Sequence, residues 1–481
     1  MSPPPAPSLA GEYLSGHVAA KRNAIEAAAD AYAEAHEGAP ADAKLLKTAF
    51  FFNVAAGDIE NAAPLAEQLI AAEEDEQDIL ARLALAARAI RRGDPAGARR
   101  YINDPQSAPY LKSAAFLVDV WIERDLNGPE AALKMLENTP EGVFKGFNPV
   151  HVALIAEEAG ALETAQAAHQ VSVFGLGGPI GRTAYGAFLE RTDEAAAREY
   201  YALLSRERGA SRRTAEAGVA RLDRKAASKA FRNVSTARGA AIALHGFGYS
   251  SLVQIAQEHA RLEKAGFNVN EPQYNLPLAV AQIAGYLDPS LHETRSLIGQ
   301  IYNAYGDVEA ARAYFDTIPA SSPAYEPARI YLAAGYASTD QTAEAIAVLK
   351  EAVSRDRGAV EARFTLADLY ALEQRFEDTL RTVDDVLERV DVEAQEDAWR
   401  YLVTRGGALV ELGRWEEAER DLVKAVEIAP EQSRALNALG YRWVERGENL
   451  EEAFSMIEKA VALVIGPSET VDRLGGIRVQ R

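Results

Sequence analysis

Along this chain the apolar positions are filled mostly by alanine and leucine, with glutamate and arginine between them. Alternating β-branched runs are scarce. These side chains lose little freedom in a helix, so the pattern predicts helices throughout. Short punctuation interrupts them: Gly38-Ala39-Pro40, Gly57-Asp58, Gly93-Asp94-Pro95, Gly306-Asp307, Gly413-Arg414 and Gly447-Glu448. A glycine at such a point takes positive φ and ends a helix without Cβ strain. Asp58, Asp94 and Asp307 each follow one and are placed to cap the next helix. The stretches between breaks run to about 12–16 residues, an ordinary helix length. The chain reads as helix, tight turn, helix, many times over.

A fixed period underlies the punctuation. Residues 399–432 carry small Gly406, Gly413 at the turn, small Ala418 and Ala425, and Pro430 near the end. Windows starting at 292, 326 and 360 are 34 residues apart and repeat these offsets. They hold Gly299, Tyr302, Gly306, Ala311, Phe315 and Pro323, then Ala333, Tyr336, Ala345 and Ala352, then Leu366, Ala367 and Tyr370. A five-residue insertion precedes 399, and the next window starts at 433 with Leu436, Leu439, Gly440, Gly447, Ala453 and Ala460. The N-terminus keeps the same ruler: Gly16, Ala28, Tyr32, Ala35 and Pro40 over 9–42, then Gly57 and Ala62 over 43–76. Looser windows follow over 79–111, 112–145, 146–179 and 180–213. Small residues such as Gly406 and Ala418 predict two helices crossing closely, with Tyr302 or Phe315 filling the groove beside the crossing.

This 34-residue helix–turn–helix pattern resembles the tetratricopeptide repeat, and the wording of 436–463 is similar to multi-repeat proteobacterial members of that family. The resemblance implies an all-α fold, a right-handed superhelical solenoid of antiparallel helix hairpins. It divides the chain into a proline-rich tail (1–8), divergent N-terminal repeats (9–232), a connector (233–291), a C-terminal array (292–467) and an irregular tail (468–481). In the connector a longer first helix is expected over about 236–263, and Pro289 falls one period before Pro323. Gly246-Phe247-Gly248 within that helix predicts close packing or a kink. About thirteen or fourteen units fit the length, so stability is expected as a sum of neighbour interfaces.

Composition narrows the function. The 481 residues include no cysteine, which excludes disulfides, thiolate metal sites and a cysteine nucleophile. A net charge of −20 and a pI near 5.0 argue against nucleic acid as partner. No apolar run reaches the roughly 18 residues of a membrane span. The start, MSPPPAPSLAGEYL, lacks the basic and apolar regions of a signal peptide and carries no lipobox cysteine. The expected location is cytoplasmic, or periplasmic or outer-membrane associated if the N-terminus is trimmed.

No reaction chemistry assembles. The seven histidines stand in no HExxH or HxH arrangement, and GxSxG and GxxxxGK[ST] are absent. GLGGPIGR (175–182) misses the dinucleotide fingerprint and reads as an inter-repeat loop. The acidic run Glu73–Glu76 lacks calcium-loop spacing. Glu416 and Glu417 at a helix start oppose the positive end of its dipole. The expectation is therefore no enzyme, no cofactor and no metal.

By the resemblance, the first helix of each hairpin lines a concave face that takes a partner peptide or helix. The positions on it include Tyr13, His17, Lys44, Lys47 and Phe51 early in the chain. Later they are Gln300, Asn303, Phe364, Asp368, Arg400, Asn437 and Tyr441. Mixed amide and aromatic groups suit a peptide backbone. Separately, 206–232 holds nine Lys/Arg against three Asp/Glu. Its Arg206, Arg208, Arg212, Arg213, Arg224 and Lys225 make a basic patch, either a solvated helix face or a dock for an acidic partner or anionic surface.

The expected function is a scaffold or adaptor that holds a protein partner in its groove, with oligomeric state open. Two alternatives stand beside it: an envelope-associated protein that tethers a processing or secretion complex, and a ligand-binding or catalytic role for 175–290. The family's carboxylate clamp of Lys, Asn and Arg is missing, because Ser296 and Gln300 are followed by Pro327 and Tyr331 where cations are needed. Calorimetry with an acidic C-terminal peptide should show no binding in the micromolar range.

Overall fold

A computed structural model describes residues 9–72, 79–102, 109–141, 143–174, 178–267, 272–392 and 395–465. Among them every extended element is an α-helix. The early hairpins pair α1 (Leu9–Lys21) with α2 (Ile25–Gly38), α3 (Ala43–Ala55) with α4 (Ile59–Ala71), and α5 (Ile79–Arg91) with α6 (Pro95–Ile102). Next come α7 (Pro109–Asn127) with α8 (Pro129–Glu137), α9 (Asn148–Glu158) with α10 (Leu162–Phe174), and α11 (Gly178–Thr192) with α12 (Glu194–Leu204). A single helix, α13 (Ala210–Asp223), packs on both α11 and α12. The middle hairpin is α14 (Thr236–Lys264) with α15 (Asn275–Leu287), followed by α16 (His292–Ala304) with α17 (Val308–Phe315). Then follow α18 (Tyr325–Ser338), α19 (Thr342–Arg355), α20 (Val360–Leu372) with α21 (Phe376–Leu387), α22 (Trp399–Glu411) with α23 (Trp415–Ile428), and α24 (Ser433–Arg446) with α25 (Leu450–Ile465). The chain forms two compact units, 1–335 and 336–481, and the division falls inside the array expected over 292–467.

Local chemistry sets the helix boundaries. Asp58 accepts from the Asn61 amide at 3.0 Å, Asp94 from Gly97 at 2.8 Å and Asp307 from Ala310 at 3.0 Å, each satisfying an open donor of a first turn. Gly306 before Asp307 sits at φ 77°, where a side chain would be strained. The 178–182 stretch expected as a loop is instead the start of α11. Pro179 there lacks an N–H that the first turn does not need. Residues 1–8, 73–76, 175–177 and 468–481 lie outside the described residues.

The small residues mark close crossings. A Cβ on Gly299 would stand 2.7 Å from the Phe315 ring, on Gly406 2.9 Å from Leu422, and on Gly440 2.9 Å from the Ala453 carbonyl. Tyr302 and Phe315 fill their groove and are buried. Neighbouring hairpins stack in order, the second helix of one against the first helix of the next, as in α2 on α3, α4 on α5, α21 on α22 and α23 on α24.

The middle hairpin breaks that order. α14 has 29 residues, about twice the usual length. In α15 every residue from Pro277 to Ala284 is buried, as is Leu287. A helix apolar on all faces needs neighbours on all faces. Besides α14 and α16, it finds them on α3 and α5, while the first part of α14 packs on α7.

Four of the described histidines are buried in the first unit: His36, His151, His169 and His245. Trp121 Nε1 donates to His151 Nδ1 at 2.9 Å, and Thr294 Oγ1 lies 3.3 Å from His245 Nδ1. His169 is stacked on Tyr185 and lies 5.0 Å from the Phe188 ring centre, and neither of its ring nitrogens has a hydrogen-bond partner among the described residues. Burial penalises the charged ring, holding His151 and His169 near pKa 3 and His245 near 4, with Arg191 adding to the effect at His169.

The unfolded chain binds these protons below about pH 6.5 and the folded chain does not. Stability is therefore full above that pH and falls as pH drops, by about 1.4 kcal/mol per unit for each histidine. His169→Phe removes one such penalty at no cost in hydrogen bonds. Urea unfolding near pH 7.5 should find it as stable as the parent or more so. Near pH 5 it should be more stable by about 2 kcal/mol.

Two candidate partner-binding faces

In the first unit, first helices of successive hairpins supply the face assigned to a partner. Tyr13 and His17 are exposed on α1, stacked with ring centres 6.4 Å apart, and Tyr13 meets the edge of Tyr32. Lys44 and Lys47 are exposed on α3, and Phe51 is half-buried against Phe52. Farther along, α15 packs on α3 and α5, and α14 on α5 and α7. Gly57 abuts Gln282, whose Oε1 would lie 2.9 Å from a Cβ there. Tyr286 donates to Glu60 at 2.5 Å, and the Arg91 guanidinium lies over the Tyr286 ring at 5.4 Å. The hydrogen bond from Tyr286, more than the nearby Arg92 and Arg88, holds the Glu60 carboxyl below its ordinary range. Burial, with help from Glu60, pushes the Tyr286 hydroxyl up to about 12.

The deepest contact is at Trp121, whose side chain is fully buried. Gly239 of α14 leaves no room for a Cβ, which would fall 2.0 Å from the indole. Thr236 Oγ1 donates to the Trp121 carbonyl at 3.3 Å. Farther along the chain, Gln300 turns back onto Ser296, and Asn303 Nδ2 donates to the Tyr331 carbonyl at 2.6 Å. Both are therefore engaged within the unit.

The second unit presents its own face on α20, α22 and α24. Phe364 is buried, at 1% exposure, because Arg400 lies over its ring at 4.7 Å. Arg400 also reaches Glu361 at 3.4 Å and Asp397 at 3.5 Å. The Tyr401 hydroxyl donates to Glu361 at 3.0 Å and Thr404 to Asp368 at 3.0 Å. Burial raises the Asp368 pKa, opposed by that Thr404 bond and by Arg434 and Arg400. Beside this belt Arg434, Asn437 and Tyr441 are exposed. Among the described residues Arg434 and Asn437 make no side-chain hydrogen bond or ion pair. Gly407 faces open space, with nothing within 4 Å of where a Cβ would sit.

The basic segment is partly neutralised. Arg212 and Arg213 both pair with Glu216. Arg206, Arg208, Arg224 and Lys225 are exposed. One functional-looking residue escaped the sequence reading: Glu190, whose side chain is fully buried. It accepts from Tyr201 at 2.6 Å, Arg221 at 2.6 Å and the Ser228 amide at 2.7 Å. Arg191 donates to the Ser228 and Ala230 carbonyls, so the connector after α13 is clamped from two sides. The separation of 38 residues between Glu190 and Ser228 left no local signal.

Among the described residues no group of three His, Asp or Glu could hold a metal ion. None of their helices is long and apolar enough to cross a membrane. An open hollow of about 650 Å³ lies on the second-helix side of the second unit, around Leu380, Asp384 and Leu412. Two of its acids are paired: Asp384 with Arg405, and Asp385 with Arg363 and Arg389.

Residues 331–405 match the tetratricopeptide repeat family. Over 135 residues the chain is 33% identical to the protein O-mannosyl-transferase Tmtc1 of Drosophila melanogaster, covering 26% of this chain and only 16% of that protein. The solved Cut9–Hcn1 hetero-tetramer of APC/C aligns over 98% of this chain and 96% of its own, with 12% identity and a TM-score of 0.35. MamA aligns over 37% of this chain and 98% of its own, with 19% identity and a TM-score of 0.29. Both TM-scores are well below 0.5, so neither likeness says how these hairpins are arranged.

Ile283 of α15 has no exposed surface. Ile283→Ala should cost about 2–5 kcal/mol. It should also raise amide exchange in α3 and α5, read by mass spectrometry, well above its effect in α20–α25.

Proposed function

We propose that this tetratricopeptide-repeat chain is a non-catalytic scaffold that holds a protein segment on the first-helix face of its second unit. One contrast carries the reading. In the first unit the corresponding face is partly taken by α14 and α15 of the same chain, whereas on α24 Arg434, Asn437 and Tyr441 are exposed. The Asn437 amide offers both a donor and an acceptor to a peptide backbone. Tyr441, 52% exposed, offers a flat apolar ring with a polar end, the type of side chain that dominates binding energy at interfaces. Arg400, Glu361, Thr404 and Asp368 form the pre-ordered belt beside them, so a ligand meets groups that are already positioned.

The middle segment supports the same reading. Residues 236–248 and 275–287 are committed to helix packing, and Gly246 and Gly248 serve close approach to Phe147 and Leu297. The clamped connector favours a second surface for an acidic partner. Arg224, Lys225, Lys229 and Arg232 are exposed there, and among the described residues none of the four pairs with a carboxylate.

Affinity capture from the native cell with the full chain tests the scaffold. Asn437→Ala with Tyr441→Ala should weaken the bound partner by about tenfold or more. Lys44→Glu with Lys47→Glu should leave it in place. An unchanged partner set with the first pair, and loss with the second, would overturn the assignment to the second unit.

A further inference from the structure

Outside α13 and the middle hairpin, stacking follows one rule: the second helix of a hairpin packs on the first helix of its successor. α25 is a second helix and α1 is a first helix. Each carries the apolar surface that this rule would bury.

On α25, Ala453 and Ala460 are buried, and Met456 and Ile457 lie within 3.4 Å of where a Cβ of Gly440 would sit on α24. The apolar arc does not stop there. Leu450 and Phe454, four residues apart, remain 44% and 49% exposed, and Val461 continues their line half-buried. At 100° per residue, Glu451 and Glu458 border this strip on the side away from α24, and both are exposed.

On α1, Gly16 faces the Tyr32 ring of α2. Leu14 and Val18 project from the opposite side and are 60% and 40% exposed. Lys21 and Arg22 border them. Glu12, the acid of α1, sits on the α2 side, where burial first and then the neighbouring Glu34 raise its pKa.

Exposed apolar strips with charged borders of this kind mark interaction surfaces. Here the two strips are complementary in type and in charge: a second helix with an acidic border, and a first helix with a basic one. We infer that α25 of one molecule docks on α1 of a second copy of this chain, extending the hairpin stacking from molecule to molecule. Such an interface is heterologous: each molecule brings a different surface, and each copy added leaves one of each free. The contact uses neither the α20–α24 face nor the basic connector, so it stands apart from the scaffold reading.

Sedimentation equilibrium on the full chain tests this with two variants whose substitutions are at exposed positions. Leu14→Asp/Val18→Asp blocks α1, and Leu450→Asp/Phe454→Asp blocks α25. Circular dichroism checks that both remain helical. The parent should show a weight-average mass that climbs with concentration beyond the dimer, less steeply at high salt, because the bordering charges are screened. Each variant alone should be a monomer. An equimolar mixture should form a one-to-one heterodimer and stop there, since each partner then has only blocked ends left. A parent that stays monomeric to about 100 µM would overturn the inference, placing any contact weaker than about 5 kcal/mol. So would an α1-blocked variant that still dimerises alone, which would mean α25 pairs with α25. A mixture that forms no heterodimer would overturn it equally.

Discussion

The first unit depends on the seating of α14 and α15 against α3, α5 and α7. A helix with Leu278, Val280, Ile283 and Leu287 all buried contributes about 1.5–3 kcal/mol for each of these side chains. That gain requires apolar surface on every side, and the first helices of the early hairpins provide part of it. Gly239 against Trp121, Gly57 against Gln282 and the Tyr286–Glu60 hydrogen bond are the fitted points of this contact. They explain why a surface used for partners in the resembling family is here partly structural. The buried residues of α14 run from Thr236 to Gly248, so it is the first half of the helix that takes part in this contact.

Buried and bridging charges are satisfied within both units. In the first, Glu190 is a fully buried carboxylate, tolerated because Tyr201, Arg221 and the Ser228 amide all donate to it. Its gain is positional: it fixes the backbone that carries the exposed cations. In the second, arginines lie over aromatic rings or bridge neighbouring helices. Arg400 covers Phe364, and Arg405 joins Asp384 to Asp421. The net charge of −20 therefore says little about local fields, since much of the arginine is spent internally.

Features set by near neighbours in sequence were legible. The caps at Asp58, Asp94 and Asp307 need only three residues of context, and the Gly406–Leu422 crossing needs one hairpin. The extent of α14 was readable to within a residue. What could not be read depends on how side chains pack in three dimensions. Phe364 holds a groove position by its offset, yet Arg400 from the next hairpin covers it. Gln300 and Asn303 hold similar positions and turn inward to Ser296 and Tyr331. The role of NLPLAVAQIAGYL had a signal, being apolar on all faces, but nothing nearby says which helices surround it. Glu190 gave none, because its partners lie up to 38 residues away.

The hydrogen bond between Tyr286 and Glu60 joins residues 226 apart in sequence. A simple repeat array completes each interface as soon as the next hairpin emerges from synthesis. Here the early hairpins wait for α15. At about 5–20 residues per second, that delay is roughly 10–45 s on the ribosome. During it, Trp121 and the faces of α3 and α5 are bare. The unit thereby acquires contacts of high sequence separation that a simple repeat array lacks, and such contacts slow folding.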